Sequence, residues 1–490
     1  MTDKPISILP LSRFWPRASF SALRLRISER RMLLIAVDLG VVSLALWLAL
    51  ATQPTLAWRP ALAPLYVRWF VTLGGIWLVC ALIFDLYRLS QAAHPRQSVQ
   101  SILRAGLMVV IVYALTPWLT PPLLSRFLIV VFGVTSLVGL GLWRFTYTRL
   151  FTQSWSKQRL LIVGAGCAGA ELAFNLSQAS GISSPYRGSG YELVGFIDDN
   201  PALRDQIVAG APVQGNHAEL VRLLSVLQID EVVVAITNRH AIRPGLMAAL
   251  IACAEHGCRV TTMNALTERV LGRVPVLHIG HNLGDAFPMH DDVGTRLNAI
   301  CKRVTDLAMA LLGVAVLGLV LPWVALANRI ASPGPLFYRQ VRVGRGGRSF
   351  SIYKLRSMVP DAEASTGAVW AAVGDRRVTP VGRWLRRTRL DELPQVFNVL
   401  RGEMSIIGPR PERPEFVARL AAEIPFYRAR HGVRPGVTGW AQAQYEYGRT
   451  IEDARIKLEY DLYYVRHVSL LLDLQILFRT VAIALQMKGS

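Results

Sequence analysis

The sequence predicts a membrane protein in three parts: an α-helical bundle of four spans, an α/β Rossmann-like domain, and an α-rich, monotopic C-terminal domain carrying one re-entrant membrane helix. Three observations predict it. Four apolar runs crowd the first 150 residues; a glycine-rich turn, Gly164-Ala165-Gly166-Cys167-Ala168-Gly169, joins a β-type run to a helix-like one; and a lone apolar stretch, Val304 to Asn328, has basic residues on both flanks and Pro322 inside. A chain of 490 residues has room for about three domains, and its hydrophobic share of 52% exceeds that of an ordinary soluble enzyme.

Residues 1–30 are basic and irregular, without the apolar core and cleavage site of a signal peptide, and read as a cytoplasmic tail. Within residues 31–150 the runs Met32 to Leu50, Trp69 to Phe84, Ala105 to Ser125 and Phe127 to Trp143 each approach the roughly 20 residues a bilayer requires. Pro117, Pro121 and Pro122 are expected to turn the chain between the last two runs. Arginines cluster where the cytoplasmic face falls if the N-terminus is inside, leaving mainly Arg59 and Arg126 outside, so the positive-inside rule puts both ends of the bundle in the cytoplasm of a bacterial inner membrane. Asp38 lies within the first span; the expectation is a position near the helix end with a basic neighbour. Cys80, Cys167, Cys253, Cys258 and Cys301 show neither zinc spacing nor a disulfide framework, which fits a reducing compartment.

Residues 157–273 change pattern. A strand at Gln158 to Val163, the glycine turn, a helix at Ala170 to Ala179 and a strand at Tyr191 to Ile197 ending in Asp198-Asp199 match the dinucleotide fingerprint in its strand-turn-helix setting. Further strands are expected at Glu231 to Ile236 and Arg259 to Thr262. Gly164, Gly166 and Gly169 are the candidate nucleotide cradle, and occupancy stays open. The segment resembles the nucleotide-binding half of membrane-anchored sugar-nucleotide dehydratases, whose chemistry rests on a Tyr and a Lys four residues apart. No Tyr-x-x-x-Lys occurs in this chain, so a structural or regulatory module is the preferred reading over a redox enzyme. In the linker, 274–300, His278, His281 and His290 are scattered as solvated loop histidines are, not as a metal set.

Residues 301–490 form the last part. Lys302 and Arg303 precede the apolar stretch and Arg329 follows it, so both ends are expected on one side, with the helix 304–328 kinked at Pro322, which cannot donate to the carbonyl of Gly318. Net charge is +11 over residues 1–150, −2 over 151–300 and +12 over 301–490, placing the excess where anionic lipid and anionic substrate would meet it; nucleic acid is not an expected partner. The densest chemistry runs from Gly382 to Pro411, where Asp391 and Glu392 follow Arg383, Arg386, Arg387 and Arg389, and Pro409-Arg410-Pro411 closes the segment. Arginines grip phosphoryl oxygens in pairs of bonds, and a carboxylate among them stays ionised to hold Mg2+ or attack phosphorus. The alternative is that Asp391 merely caps a helix spanning Leu393 to Leu400.

Three blocks occur in order: SPGPLFYRQVRVGRGGRSFSIYKLRSM, LRRTRLDELPQVFNVLRGEMSIIGPRPERPEF and VRPGVTGWAQ. They resemble the bacterial polyprenyl-phosphate hexose-1-phosphate transferases, the large monotopic phosphoglycosyl transferases that begin capsule, exopolysaccharide and O-antigen repeat units. The resemblance is dense from Cys301 to Ser490. It implies that Asp391 is a nucleophile toward a UDP-sugar, that UMP leaves, and that undecaprenyl phosphate collects the sugar phosphate. It implies Mg2+ near Asp391 and Glu392, with Glu392 either a metal ligand or an orienting group. Lys354, Arg356, Arg386, Arg387 and Arg410 are the candidate substrate-binding cations. Arg389 stands where many members have Ser, and Ser357 where they have Thr; neither removes a catalytic group. Tyr460 to Met487 suits an interfacial amphipathic helix, with a core-packing helix as its equal. The sequence does not set the oligomeric state, and a homodimer is compatible with it. A sugar-nucleotide dehydratase and a non-catalytic membrane scaffold are the competing functions.

Overall fold

A computed structural model describes residues 27–52, 63–84, 86–87, 89–92, 94–116, 126–151, 157–178, 191–237, 242–278, 293–359, 362, 375, 377–445 and 450–485. His281, His290, Pro117, Pro121, Pro122 and Arg59 lie outside the described residues, as does the expected N-terminal tail up to Arg26. Two compact units divide the chain near Thr262.

The first unit begins with the helices Ile27–Ala51, Ala63–Ile83, Pro95–Leu115 and Arg126–Phe151. All four are long and apolar enough to cross a membrane. The third starts and stops earlier than its apolar run: Pro95 fits the first turn, where its missing N–H is no loss. The helix ends at Leu115 because Thr116 precedes a proline, and such a residue is pushed out of the α region. The first and fourth helices pack closely, since a Cβ on Gly139 would come within 2.7 Å of Val41. Asp38 is not near a helix end. It sits in the middle of the first helix and pairs with Arg144 of the fourth at 2.6 Å, both side chains 1% exposed or less. A long-range partner of this kind is invisible to neighbour-based reading.

The α/β part is a six-stranded sheet, β1 Gln158–Val163, β2 Tyr191–Ile197, β3 Ile207–Val208, β4 Ala211–Gly215, β5 Glu231–Val234 and β6 Arg259–Thr262, in the order β3-β4-β2-β1-β5-β6. β1 runs parallel to β2, to which the crossover helix Cys167–Gln178 joins it, and to β5; β2 runs parallel to β4. The antiparallel β3–β4 pair was absent from the sequence expectation because two residues of β3 carry too little pattern. Leu161, Val163, Ile197, Leu220, Val232 and Leu246 form its core. Gly169 is required by packing: a Cβ there would meet the Gly164 carbonyl oxygen at 1.9 Å. The expected end of this domain near Arg273 shifts, because the helix Met263–Leu271 belongs to the second unit.

In the second unit one helix, Val293–Ala331, runs 39 residues, about 58 Å at 1.5 Å per residue. It therefore starts inside the expected linker and continues through Pro322 beyond the expected 304–328. Next come the antiparallel hairpin β7 Phe337–Val343 and β8 Ser349–Leu355, so the unit is less purely helical than expected. Gly346 and Gly347 at its turn take positive φ, 66° and 77°. A short parallel pair, β9 Ser405–Ile407 and β10 Gly436–Thr438, is surrounded by helices. The expected single helix from Tyr460 onward is two, Ile451–Arg466 and Leu470–Leu485. Ser469 caps the second, accepting from the Leu472 N–H at 3.3 Å, and that local competitor breaks the run. The long helix packs against the rest of the unit along its length: Ala310 with Ile352, Val396 and Val399, and Val324 with Leu355 and Leu385.

Candidate active site

Asp391 and Glu392 lie on a 3-10 turn, Leu390–Gln395, rather than at the cap of a helix from Leu393; the α-helix that follows is Val396–Arg401. Pro394 in the turn lacks an N–H, which suits a short tight segment. Two anchors hold the turn. Behind it, Asn398, fully buried, donates to the Ser351 carbonyl at 2.8 Å and accepts from the Tyr353 N–H at 3.3 Å, fixing the turn against β8. Arg303 of the long helix donates to the carbonyls of Val399 and Leu400 at 2.8 and 3.0 Å, covering the open end of the following helix. Asp306 accepts from Ser405 Oγ and the Ile406 N–H, both at 2.9 Å, and ties β9 to the same helix.

This framework brings Lys354, next to Tyr353 on β8, to Glu392: Nζ donates to Oε1 at 2.9 Å. Arg410 reaches the same carboxylate from the Pro-Arg-Pro turn, donating from Nη2 to Oε1 at 2.7 Å and from Nη1 to Oε2 at 3.4 Å. Arg389 stands 4.0 Å from Oε2. Burial works to raise the Glu392 pKa, but Arg410 and Lys354 outweigh it and hold the carboxyl well below its ordinary range. Glu392 is therefore a permanent anion among cations. A group so placed is a poor proton acceptor near neutral pH.

Asp391 differs. Its Oδ1 is buried with no hydrogen-bond partner. Burial first, and the Glu392 charge second, raise its carboxyl above the ordinary range, against the pull of Lys354, Arg386 and Arg410. Leaving a carboxylate oxygen buried and unbonded is costly, and such atoms concentrate where a reaction uses them. Arg386 is delivered by the helix Pro380–Thr388, whose Thr379 cap accepts from the Gly382 N–H at 2.9 Å. Its Nε donates to Ser357 Oγ at 3.0 Å. Gly382 permits this approach, since a Cβ there would lie 2.0 Å from the Ser357 carbonyl oxygen.

Of the expected cations, Lys354, Arg386 and Arg410 gather round the carboxylate pair. Arg387 is exposed on the helix surface. Arg356 is spent elsewhere: it is 6% exposed, donates from Nε to the Pro335 carbonyl at 2.7 Å, and its Nη2 bonds the Ser332 carbonyl, so it fastens the chain after the long helix. Arg389, expected as a member of the arginine run and as a departure from the family pattern but not as a substrate-binding cation, adopts φ 61° at the joint between helix and turn and adds a third cation beside Glu392. Its place two residues before Asp391 was the available signal. Among the described residues no group of three or more His, Cys, Asp or Glu side chains is arranged to hold a metal. In the α/β domain, Asp198 accepts from the Ala165 N–H of the glycine loop at 2.7 Å and from the Asn200 N–H at 2.9 Å.

Residues 297–487 match the family described as bacterial sugar transferase. Residues 82–243 match a family described as CoA-binding domain. A UDP-glucose:undecaprenyl-phosphate glucose-1-phosphate transferase of Xanthomonas campestris pv. campestris is 32% identical over 73% of this chain and 73% of its own length. The chain belongs to that family of undecaprenyl-phosphate hexose-1-phosphate transferases. A UDP-N-acetylgalactosamine-undecaprenyl-phosphate N-acetylgalactosaminephosphotransferase of Aeromonas hydrophila is 43% identical over 47% of this chain, which spans 53% of that protein. The exopolysaccharide production protein PSS of Rhizobium leguminosarum bv. phaseoli is 40% identical over 38% of this chain and 95% of its own length.

Proposed function

We propose that this protein transfers a sugar 1-phosphate from a UDP-sugar to undecaprenyl phosphate, releasing UMP and giving a diphosphate-linked lipid sugar that begins a surface polysaccharide unit. The observation that carries the reading is the division of labour in the carboxylate pair: Glu392 is clamped by Lys354 and Arg410, while Asp391 keeps a buried, unbonded oxygen beside the same cations.

In the first step a carboxylate oxygen of Asp391 attacks the sugar-proximal phosphorus, the bond from that phosphorus to the bridging oxygen breaks, and UMP departs with the electron pair. An acyl phosphate bearing the sugar remains on Asp391. In the second, a phosphate oxygen of undecaprenyl phosphate attacks the same phosphorus and the Asp391 oxygen leaves as carboxylate. Lys354, Arg386 and Arg410 meet the charge spread over the transferring group, and Glu392 keeps them in place between turnovers. Mg2+ supplies further charge neutralisation on the donor diphosphate when bound. Asp391, with its unbonded Oδ1, is the residue that would hold it; Glu392, saturated by cations, fits the anchoring role better than that of metal ligand.

The second unit works at the cytoplasmic face of the inner membrane, with Val293–Ala331 entering one leaflet without crossing. Support comes from both ends of that helix meeting the same folded body: Lys302 donates to the Ile407 carbonyl at 3.0 Å, and Ser332 bonds Arg356. A crossing helix would have to put one of these contacts on the far side. Leu311, Leu312, Leu319, Trp323 and Leu326 stay exposed on its other face, as lipid contact requires. The helices of the first unit anchor the chain as four spans.

Asp391→Asn tests the assignment in purified protein with undecaprenyl phosphate, Mg2+ and a panel of UDP-sugars. The expected result is loss of UMP release with every donor that the wild type accepts; retained turnover would refute the nucleophile. An NAD-dependent absorbance change with a UDP-sugar would favour a dehydratase, and no UMP release from any donor a scaffold.

A further inference from the structure

The Pro409-Arg410-Pro411 turn is fixed by its carbonyls, because its prolines have no N–H to give. The Pro409 carbonyl accepts from the Gly436 N–H at 2.9 Å, and the Glu412 carbonyl from the Val343 N–H at 2.9 Å. The Pro411 carbonyl accepts from Arg342 Nη1 at 3.1 Å. The carbonyl of Arg410 itself accepts from Arg430 Nη2 at 3.0 Å. Four successive carbonyls are thus held by four separate donors.

Arg430 is unlike a surface cation. It is 6% exposed, and its guanidinium donates from Nη1 to Tyr427 Oη at 2.8 Å and from Nη2 to Asp461 Oδ2 at 2.6 Å, with Asp461 2% exposed on the helix Ile451–Arg466. The charge is balanced inside the protein, and the fork joins the segment Tyr427–Gly432, the Arg410 turn and the helix Ile451–Arg466. A buried, planar fork fixes direction as well as distance, which a lysine ammonium in the same place does not. The cost of enclosing such a pair is large, so an Arg–Asp pair kept here for strength alone would be a poor substitute for apolar packing.

We infer that Arg430, backed by Asp461 and Tyr427, is a positioning residue for the transfer reaction: by holding the backbone carbonyl of Arg410 it sets where the Arg410 guanidinium meets the donor diphosphate. This deepens the transferase reading and rests on it. Among the described residues Arg430 bonds Tyr427, Asp461 and the Arg410 carbonyl and neither Asp391 nor Glu392, so it acts through Arg410.

The test is a double-mutant cycle on UMP release, with Arg430→Lys made in the native protein and in Arg410→Ala. Misplacing a substrate-binding group by about 1 Å costs up to roughly a hundredfold in rate, so Arg430→Lys is expected to lower kcat/KM at least about tenfold in the native background. In Arg410→Ala, where nothing remains to position, the same change should cost less than about twofold. Equal fold-losses in both backgrounds would overturn the inference. Thermal unfolding of each variant is read alongside; where Arg430→Lys does not fold, Tyr427→Phe, which removes a single hydroxyl from the fork, carries the same cycle with the same two outcomes at smaller amplitude. A wild type that releases no UMP from any donor overturns the transferase reading and this inference with it, whereas an active wild type with additive losses overturns the role of Arg430 alone.

Discussion

Substituting Glu392 by Gln keeps the shape of the turn and deletes one charge. In the native site that charge faces Lys354 Nζ at 2.9 Å and Arg410 Nη2 at 2.7 Å. Removing one partner of a fully buried ion pair costs about 3–5 kcal/mol. Lys354 and Arg410 keep 16% and 25% of their side-chain exposure, so water repays part of this and about 2–3 kcal/mol is the better expectation. If that loss falls on the placement of the two cations, kcat/KM drops roughly 30- to 160-fold. A second signature follows from Asp391, whose carboxyl is raised by burial and then by the Glu392 charge. Asp391 must be ionised to attack, so activity falls as the pH drops through its raised pKa; without the Glu392 charge that pKa is lower and the acid limb moves to lower pH. The assay is single-turnover UMP release without acceptor, which keeps the lipid phosphate out of the titration. A Glu392→Gln protein with at least half the wild-type kcat/KM and an unmoved acid limb would refute the reasoning.

Two further perturbations test the frame. Gly408→Ala places a Cβ 2.4 Å from the Arg434 carbonyl oxygen and 2.9 Å from the Gly436 N, so β9 and β10 must separate and carry Arg410 with them; about 1–3 kcal/mol of stability and most UMP release should be lost, seen by thermal unfolding and by turnover. Asp38→Asn leaves Arg144 charged and buried in the bundle and should destabilise the first unit by about 3–5 kcal/mol, while a paired Asp38→Leu, Arg144→Leu protein recovers much of it in detergent unfolding.

The pattern of what the sequence revealed follows from range. The glycine turn at Gly164, the β-type runs around it and the existence of the apolar helices are local signals that the structure bears out, while the bounds of helices such as Pro95–Leu115 and Val293–Ala331 depart from the apolar runs. The carboxylate pair and Arg410 were legible because one continuous block carries them. Lys354 was legible from a second block, but its bond to Glu392 crosses 38 residues and only the fold supplies it. Arg356, just past the end of β8 and two residues from Lys354, is held by Ser332 and Pro335, and nothing local distinguishes a guanidinium that binds substrate from one that binds the chain itself. The same limit hid Arg430, whose partners Tyr427, Arg410 and Asp461 come from three elements. The break at Ser469 was missed because one capping hydroxyl is a weaker mark than the apolar run it interrupts.

The central claim is covalent, and it is tested most directly by trapping. The protein is incubated with a UDP-sugar labelled with 32P at the sugar-proximal phosphorus, without acceptor lipid, then quenched, digested and sequenced by mass spectrometry. The account predicts label on the peptide containing Asp391, released by hydroxylamine and chased into lipid when undecaprenyl phosphate is added before the quench. Label on another side chain, or lipid product formed with no labelled protein at any time, would contradict it.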